Sequence, residues 1–189
     1  FAIIDMDSST RHWRMLRNGD FDVCELSFSS YMRVTSLGES PFIGIPAFVS
    51  RVFRHSGIYI RTDRGIETPE DLKGKRFGIQ DYQQSVGLWT RGILDLEWGI
   101  KPEDMTWFQE RGEHLSHTGA SKEAGLGLPK DLVLKYAQTD FGSMYLDDEL
   151  DASIGLVMVA GSGIDRQRKD LSGHDGFTTL FSDPRAEGV

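Results

Sequence analysis

The chain has 189 residues, 39% hydrophobic and 11% aromatic, enough to build a buried core in one large domain or a pair of small α/β lobes. Charged residues make up 26% and are spread rather than blocked, which argues against long disorder, and a net charge of −8 argues against nucleic acid as a partner, since phosphate binding needs a basic face. The single cysteine, Cys24, excludes an intrachain disulfide and a cysteine-built zinc cluster, and no apolar run approaches the roughly 20 residues of a membrane helix.

Residues 8–18 carry the marks of a helix: Asp7 or Ser8 as cap, Trp13 and Leu16 on the apolar side, Gly19 as stop. A strand of mixed alternation is expected over 21–26, then a loop leading into a helix within 27–37 that Gly38 ends. Residues 42–49, rich in Phe, Ile and Val but containing Pro46, read as a strand near a sheet edge. Residues 55–62 alternate, with Ile58 and Ile60 on one face and His55, Tyr59 and Arg61 on the other. Thr68-Pro69-Glu70-Asp71 starts a short helix that Gly74 closes. A strand over 76–80 feeds a helix over 84–98, with Val86, Trp89, Ile93 and Leu96 as its core face and Arg91 outside any cleft. Further strands are expected over 105–109, 132–137 and 152–160, with a helix over 140–149 capped by Asp140 and a long surface loop over 110–128. From Gly161 onward the chain is glycine- and charge-rich and reads as weakly structured, apart from 177–181.

Strands alternating with helices imply an α/β fold with a mostly parallel sheet, whose ligands bind beyond the carboxyl ends of the strands. That rule selects residues 25–31, 80–85 and the segment after Val159 as crevice loops. Ser50-Arg-Val-Phe-Arg-His55 places two arginines and an imidazole at the mouth of the sheet, so the cleft suits a small carboxylated molecule. Other signals are thin. His114 and His117 lack a third ligand, Gly161-Ser-Gly163 lacks the third glycine of a dinucleotide loop, and Cys24 has no evident paired base. No metal and no cofactor is expected.

Trp13-Arg-Met-Leu-Arg17, Phe21-Asp-Val-Cys-Glu-Leu-Ser-Phe-Ser-Ser-Tyr31 and Ile45-Pro-Ala-Phe-Val-Ser-Arg-Val-Phe-Arg-His-Ser56 resemble the 4,5-dihydroxyphthalate decarboxylase family. Gly65-Ile-Glu-Thr-Pro-Glu-Asp-Leu-Lys-Gly-Lys-Arg76 and Trp89-Thr-Arg-Gly-Ile-Leu94 continue the match, which fades through 110–131. The resemblance implies a two-lobed fold like that of type II periplasmic solute-binding proteins, here truncated at both ends. Residues 1–56 would be part of a first lobe, 57–64 a hinge strand, 65–160 a second lobe and 161–189 a return segment. Val157-Met-Val-Ala-Gly-Ser-Gly163 departs from the polar segment the family carries there.

The implied reaction removes one carboxylate from a dihydroxylated aromatic diacid, leaving a catechol acid, without oxidation or cofactor. Such a site needs an acid for the ring carbon, an acceptor for a phenolic hydroxyl, and cations for carboxylate. His55 is the expected proton donor and Glu25 the phenolic acceptor, the catalytic pair. Arg51 and Arg54 are candidate carboxylate ligands, of which one is expected to enter the pocket. Ser29, Ser30 and Tyr31 offer hydroxyls, and Tyr82, Gln83 and Ser85 surround a helix N-terminus that favours an anion. The alternative reading is a solute-binding protein that captures a small organic anion for an ABC transporter. The enzyme reading places the chain in the cytoplasm, with a second copy of itself as a candidate partner in a homo-oligomer, and a signal peptide ahead of residue 1 would place it in the periplasm instead.

Overall fold

The computed structural model describes residues 2–38, 40–49, 54–112, 128–154, 169, 171 and 173–183. Helix α1 spans Ser8–Asn18 as the sequence predicts, with the Asp7 side chain accepting from Thr10 N and Gly19 ending it at φ 66°. Helix α2 is Phe28–Ser36. A 3-10 turn, His55–Gly57, leads into strand β1, Ile58–Arg61. Thr68 and Asp71 form a reciprocal capping box at the turn Pro69–Leu72. Strand β2 (Arg76–Ile79), helix α3 (Ser85–Trp98) and strand β3 (Thr106–Gln109) then form a β–α–β unit. Strand β4 (Val133–Tyr136), helix α4 (Phe141–Leu146), strand β5 (Ala152–Ile154) and strand β6 (Phe177–Thr179) follow.

The six strands make one mixed sheet in the order β4-β3-β2-β5-β1-β6. β4, β3, β2 and β5 run parallel, while β1 lies antiparallel to both β5 and β6. The α/β class expected from the sequence therefore holds, with a sheet that is mixed. Two expected strands are not strands: residues 21–26 and 42–49 run as irregular chain, with Val23 and Ile43 largely exposed. Both stretches have β-forming composition but no neighbouring strand to pair with among the described residues, and composition alone does not make a strand. Residues 113–127 and 155–168, which include most of the expected long loop and the end of the expected strand over 152–160, lie outside the described residues.

The sheet's two faces carry separate cores, as period-two alternation requires. Ile58, Ile60, Phe77, Ile79, Trp107 and Ile154 build one with Leu94 of α3. Tyr59 and Phe108, their immediate neighbours in sequence, pack instead on the second core, formed by Phe141, Met144, Tyr145 and Leu150. Gly78 admits α4 on that side, since a Cβ there would lie 2.9 Å from the Phe141 ring.

At the edge opposite the carboxyl ends of the parallel strands, Arg61, Arg64 and Arg76 interlock with Asp63, Asp148 and Asp151. Arg61 grips Asp63 through Nε at 2.8 Å and Nη2 at 2.7 Å, and holds its carboxyl down at about 2. Burial would raise the Asp151 carboxyl, but the Arg76 guanidinium and its backbone N–H, which donates at 2.8 Å, outweigh it and hold the carboxyl below its ordinary value. Both carboxyls are thus more acidic folded than unfolded. Their stabilisation is fully present above the unfolded value of about 4 and is lost as pH falls through their lowered folded values, about 2 for Asp63. Urea midpoints measured through that interval should fall steeply for the wild-type chain and less so for Asp151→Asn. A flat profile would remove the cluster as an acid-sensitive clamp.

Candidate active site

The N-termini of α2 and α3 meet at a cluster of serines. Ser85, the first residue of α3, accepts the Ser29 backbone N–H through its Oγ at 3.2 Å and lies 3.1 Å from Ser27 Oγ. Ser29 Oγ donates to the Gln83 carbonyl at 2.6 Å. Neither helix has an acidic residue in its first turn, so two positive helix ends come together here without an acidic side chain of their own to offset them. Beside this junction is a cavity of about 260 Å³ lined by Ser29, Met32, Arg33 and Ser36 of α2, with Gln83, Leu88 and Arg91. In a chain of net charge −8, this is a concentrated positive spot with an apolar wall, suited to a small anion with a hydrophobic body.

Arg91 is the best-fixed member of the pocket. Its Nη1–H donates to the Tyr82 carbonyl at 2.7 Å, and its guanidinium lies 3.9 Å over the Tyr82 ring. Burial lowers its pKa from the ordinary arginine value, with Tyr82 and Asp81 pulling the other way. The sequence expectation that Arg91 lies outside any cleft is overturned, because α3 packs through a different face. Gly87, Thr90 and Leu94 are its buried residues, while Trp89 is 60% exposed and Leu96 87%. Gly87 permits this packing: a Cβ there would lie 2.6 Å from Ile79 Cδ1 and 3.0 Å from the Tyr82 carbonyl, so a larger residue could not bring the first turn of α3 this close to the sheet.

Below the pocket, at the carboxyl ends of β2 and β3, is a buried ion pair. Asp81 is fully buried and Arg111 is 3% exposed, with Arg111 Nη1 3.2 Å from Asp81 Oδ2. The other Asp81 oxygen accepts the Gln83 N–H at 2.9 Å, and Tyr82 N–H donates to Gln109 Oε1 at 2.9 Å. The loop between β2 and α3, which supplies Gln83 to the pocket and Tyr82 to Arg91, is therefore tied down from beneath.

Of the residues singled out from the sequence, Ser29, Gln83 and Ser85 come together at this junction, and Ser29 and Gln83 line the cavity. Ser30 is buried in α2, and Tyr31 turns away to accept the Gly44 N–H at 3.2 Å. Tyr82 is buried on Trp107, with ring centroids 5.4 Å apart, and serves the pocket through Arg91. Glu25 is paired with Arg11 at 2.5 Å. His55 is 5% exposed, with Nε2 3.2 Å from Glu97 Oε2 and its ring against Trp98 and Phe181. Glu97 and Trp98 end α3, so His55 lies near the far end of that helix, roughly 18 Å along its axis from Ser85. Arg54 is half-buried just ahead of His55, burial lowering its pKa, and Arg51 lies outside the described residues. Among the described residues no group of three His, Cys, Asp or Glu side chains could hold a metal, and His114 and His117 lie outside them. No helix among the described residues is long and apolar enough to cross a membrane.

The sequence does not single out Arg33, Asp81 or Arg111, and its periodicity places Arg91 elsewhere. Ser29, Arg33 and Ser36 do follow helical spacing, a signal that was there to find.

No family model matches the chain. It is 46% identical to the 4,5-dihydroxyphthalate decarboxylase of Pseudomonas putida over 145 residues, which is 76% of this chain and 55% of that protein. It is 41% identical to the 4,5-dihydroxyphthalate decarboxylase of Comamonas testosteroni over 175 residues, 92% of this chain and 50% of that protein. Along most of its length the chain is thus similar to 4,5-dihydroxyphthalate decarboxylases, and it spans about half the length of these curated relatives.

Proposed function

We propose that the chain takes part in decarboxylating a dihydroxylated phthalate-like diacid to a catechol acid, with the pocket between α2 and α3 as its carboxylate station. The observation that carries the reading is the meeting of two acid-free helix N-termini with Arg33 and Arg91, in a chain whose relatives are named for that reaction. Ser29 and Gln83 supply polar contacts, and Met32 and Leu88 face the ring. His55 and Glu25, the acid and base expected from the sequence, stand outside this pocket, so the reading rests on the cationic groups and not on them.

In the same reading the six-stranded unit is one lobe of a two-lobed arrangement like that of type II periplasmic solute-binding proteins. What supports this is a crevice beyond the carboxyl end of β2 and the apolar side chains of Ile43, Phe48 and Val49 left facing outwards nearby in sequence from α2. The test is to incubate the chain with 4,5-dihydroxyphthalate and follow carbon dioxide and catechol-acid release. Release of both in equal amounts is expected. Binding without release would replace the enzyme by a receptor for the same anion.

A further inference from the structure

The two arginines of the pocket are not equivalent, and neither are its walls. Arg91 has one edge committed to the Tyr82 carbonyl and one face to the Tyr82 ring, so its remaining N–H groups are held in a fixed direction. No acidic residue among those described forms an ion pair with it. A partly buried cation so placed is strongly biased towards an external carboxylate. Met32 and Leu88, from the two helices, give the same cavity an apolar side.

We infer that Arg91 is the specificity-determining residue of this pocket: it holds the carboxylate that stays on the ring and turns the departing one towards Met32 and Leu88. The inference rests on the decarboxylation reading above. In that reaction the bond from ring carbon to carboxylate breaks with both electrons staying on carbon. Neutral carbon dioxide leaves, and the carbon takes one proton from water, so nothing is oxidised or reduced. Negative charge thus moves off the departing carboxylate in the transition state. A guanidinium clamped on that group would stabilise the ground state more than the transition state, and so slow the step. Clamped on the retained carboxylate, whose charge does not change, it binds both states alike and fixes the orientation of the ring. The apolar side chains of Met32 and Leu88, each about half-exposed, suit neutral carbon dioxide better than its charged precursor.

The test is titration calorimetry on the 189-residue chain with phthalate, which has two adjacent carboxylates, and benzoate, which has one. Arg91→Met should weaken benzoate and phthalate alike, by about 10-fold or more each, because the one carboxylate that Arg91 holds is present in both. Arg91→Lys, with the charge but not the planar fork, should recover only part of that affinity. Circular dichroism and urea midpoints establish that each variant is folded, and if Arg91→Met is not, the losses in Arg91→Lys decide. A wild type that binds neither ligand, a folded Arg91→Met that keeps its affinity for benzoate, or one that loses affinity for phthalate alone, overturns the inference. Equal losses for the two ligands, in a chain that releases no carbon dioxide from 4,5-dihydroxyphthalate, uphold Arg91 as the holder of one carboxylate and overturn the decarboxylase reading instead.

Discussion

Asp81→Asn should lose about 3–5 kcal/mol of stability, a large fraction of what a domain of this size possesses. The substitution changes almost no volume, so no cavity is made and the effect isolates the charge. What it removes is the carboxylate that faces Arg111 at 3.2 Å at a site where Asp81 is fully buried. Removing one charge of a buried ion pair costs far more than the loss of an exposed pair, which is worth only about 0–1 kcal/mol. The urea midpoint should fall with an unchanged slope, since the surface exposed on unfolding is the same. The pocket should weaken as well, because Asp81 also holds the Gln83 N–H, and the loop from Asp81 to Gln84 carries the carbonyls that bind Ser29 and Arg91. A loss below about 1 kcal/mol would show that the pair is solvated in solution and does not anchor the loop.

How much of this was legible in the sequence depends on how local each signal is. The cap at Asp7, the stop at Gly19, the capping box at Thr68 and the β–α–β order around α3 are set by residues within a turn of one another, and the structure keeps all of them. The failures are tertiary. Apolar periodicity on α3 pointed to Trp89 and Leu96, but the identity of the buried face was decided by Gly87 against Ile79 and Tyr82, a contact that periodicity does not encode. The same error put Arg91 outside. His55 looked like the first residue of an alternating strand, whereas a 3-10 turn brings it against Trp98 and Phe181 instead. Asp81 and Arg111 are 30 residues apart and become neighbours because β2 and β3 pair in parallel with Ile79 opposite Gln109. Only the sheet register shows that. The serine junction is half legible: helix N-termini and hydroxyls are recognisable singly, the crevice rule points to the loop that carries Gln83 and Ser85, and helical spacing puts Arg33 beside Ser29, but nothing local says that Arg91 would join them.

Trp107→Ala should be comparably damaging, at about 3–5 kcal/mol, and should also lower affinity in a pocket that Trp107 does not line. Trp107 is fully buried in β3, with ring centroids 4.9 Å from Phe77 and 5.4 Å from Tyr82, and its Nε1–H donates to the Pro102 carbonyl at 2.7 Å. Truncation removes the ring's burial, opens a cavity between β2 and β3 and leaves the Pro102 carbonyl without that donor. The effect on binding follows from a chain of contacts: Trp107 supports the Tyr82 ring, Tyr82 supports the Arg91 guanidinium, and Arg91 faces the cavity. Trp107→Phe separates the two consequences. It keeps an aromatic surface for Tyr82 while losing volume and the hydrogen bond, so it should destabilise by roughly half as much and keep most of the affinity for phthalate. If Trp107→Phe loses affinity in proportion to stability, the pocket responds to the core as a whole. If affinity follows the aromatic surface instead, the Trp107–Tyr82–Arg91 stack is the route by which the core of this chain sets the direction of its anion-binding arginine.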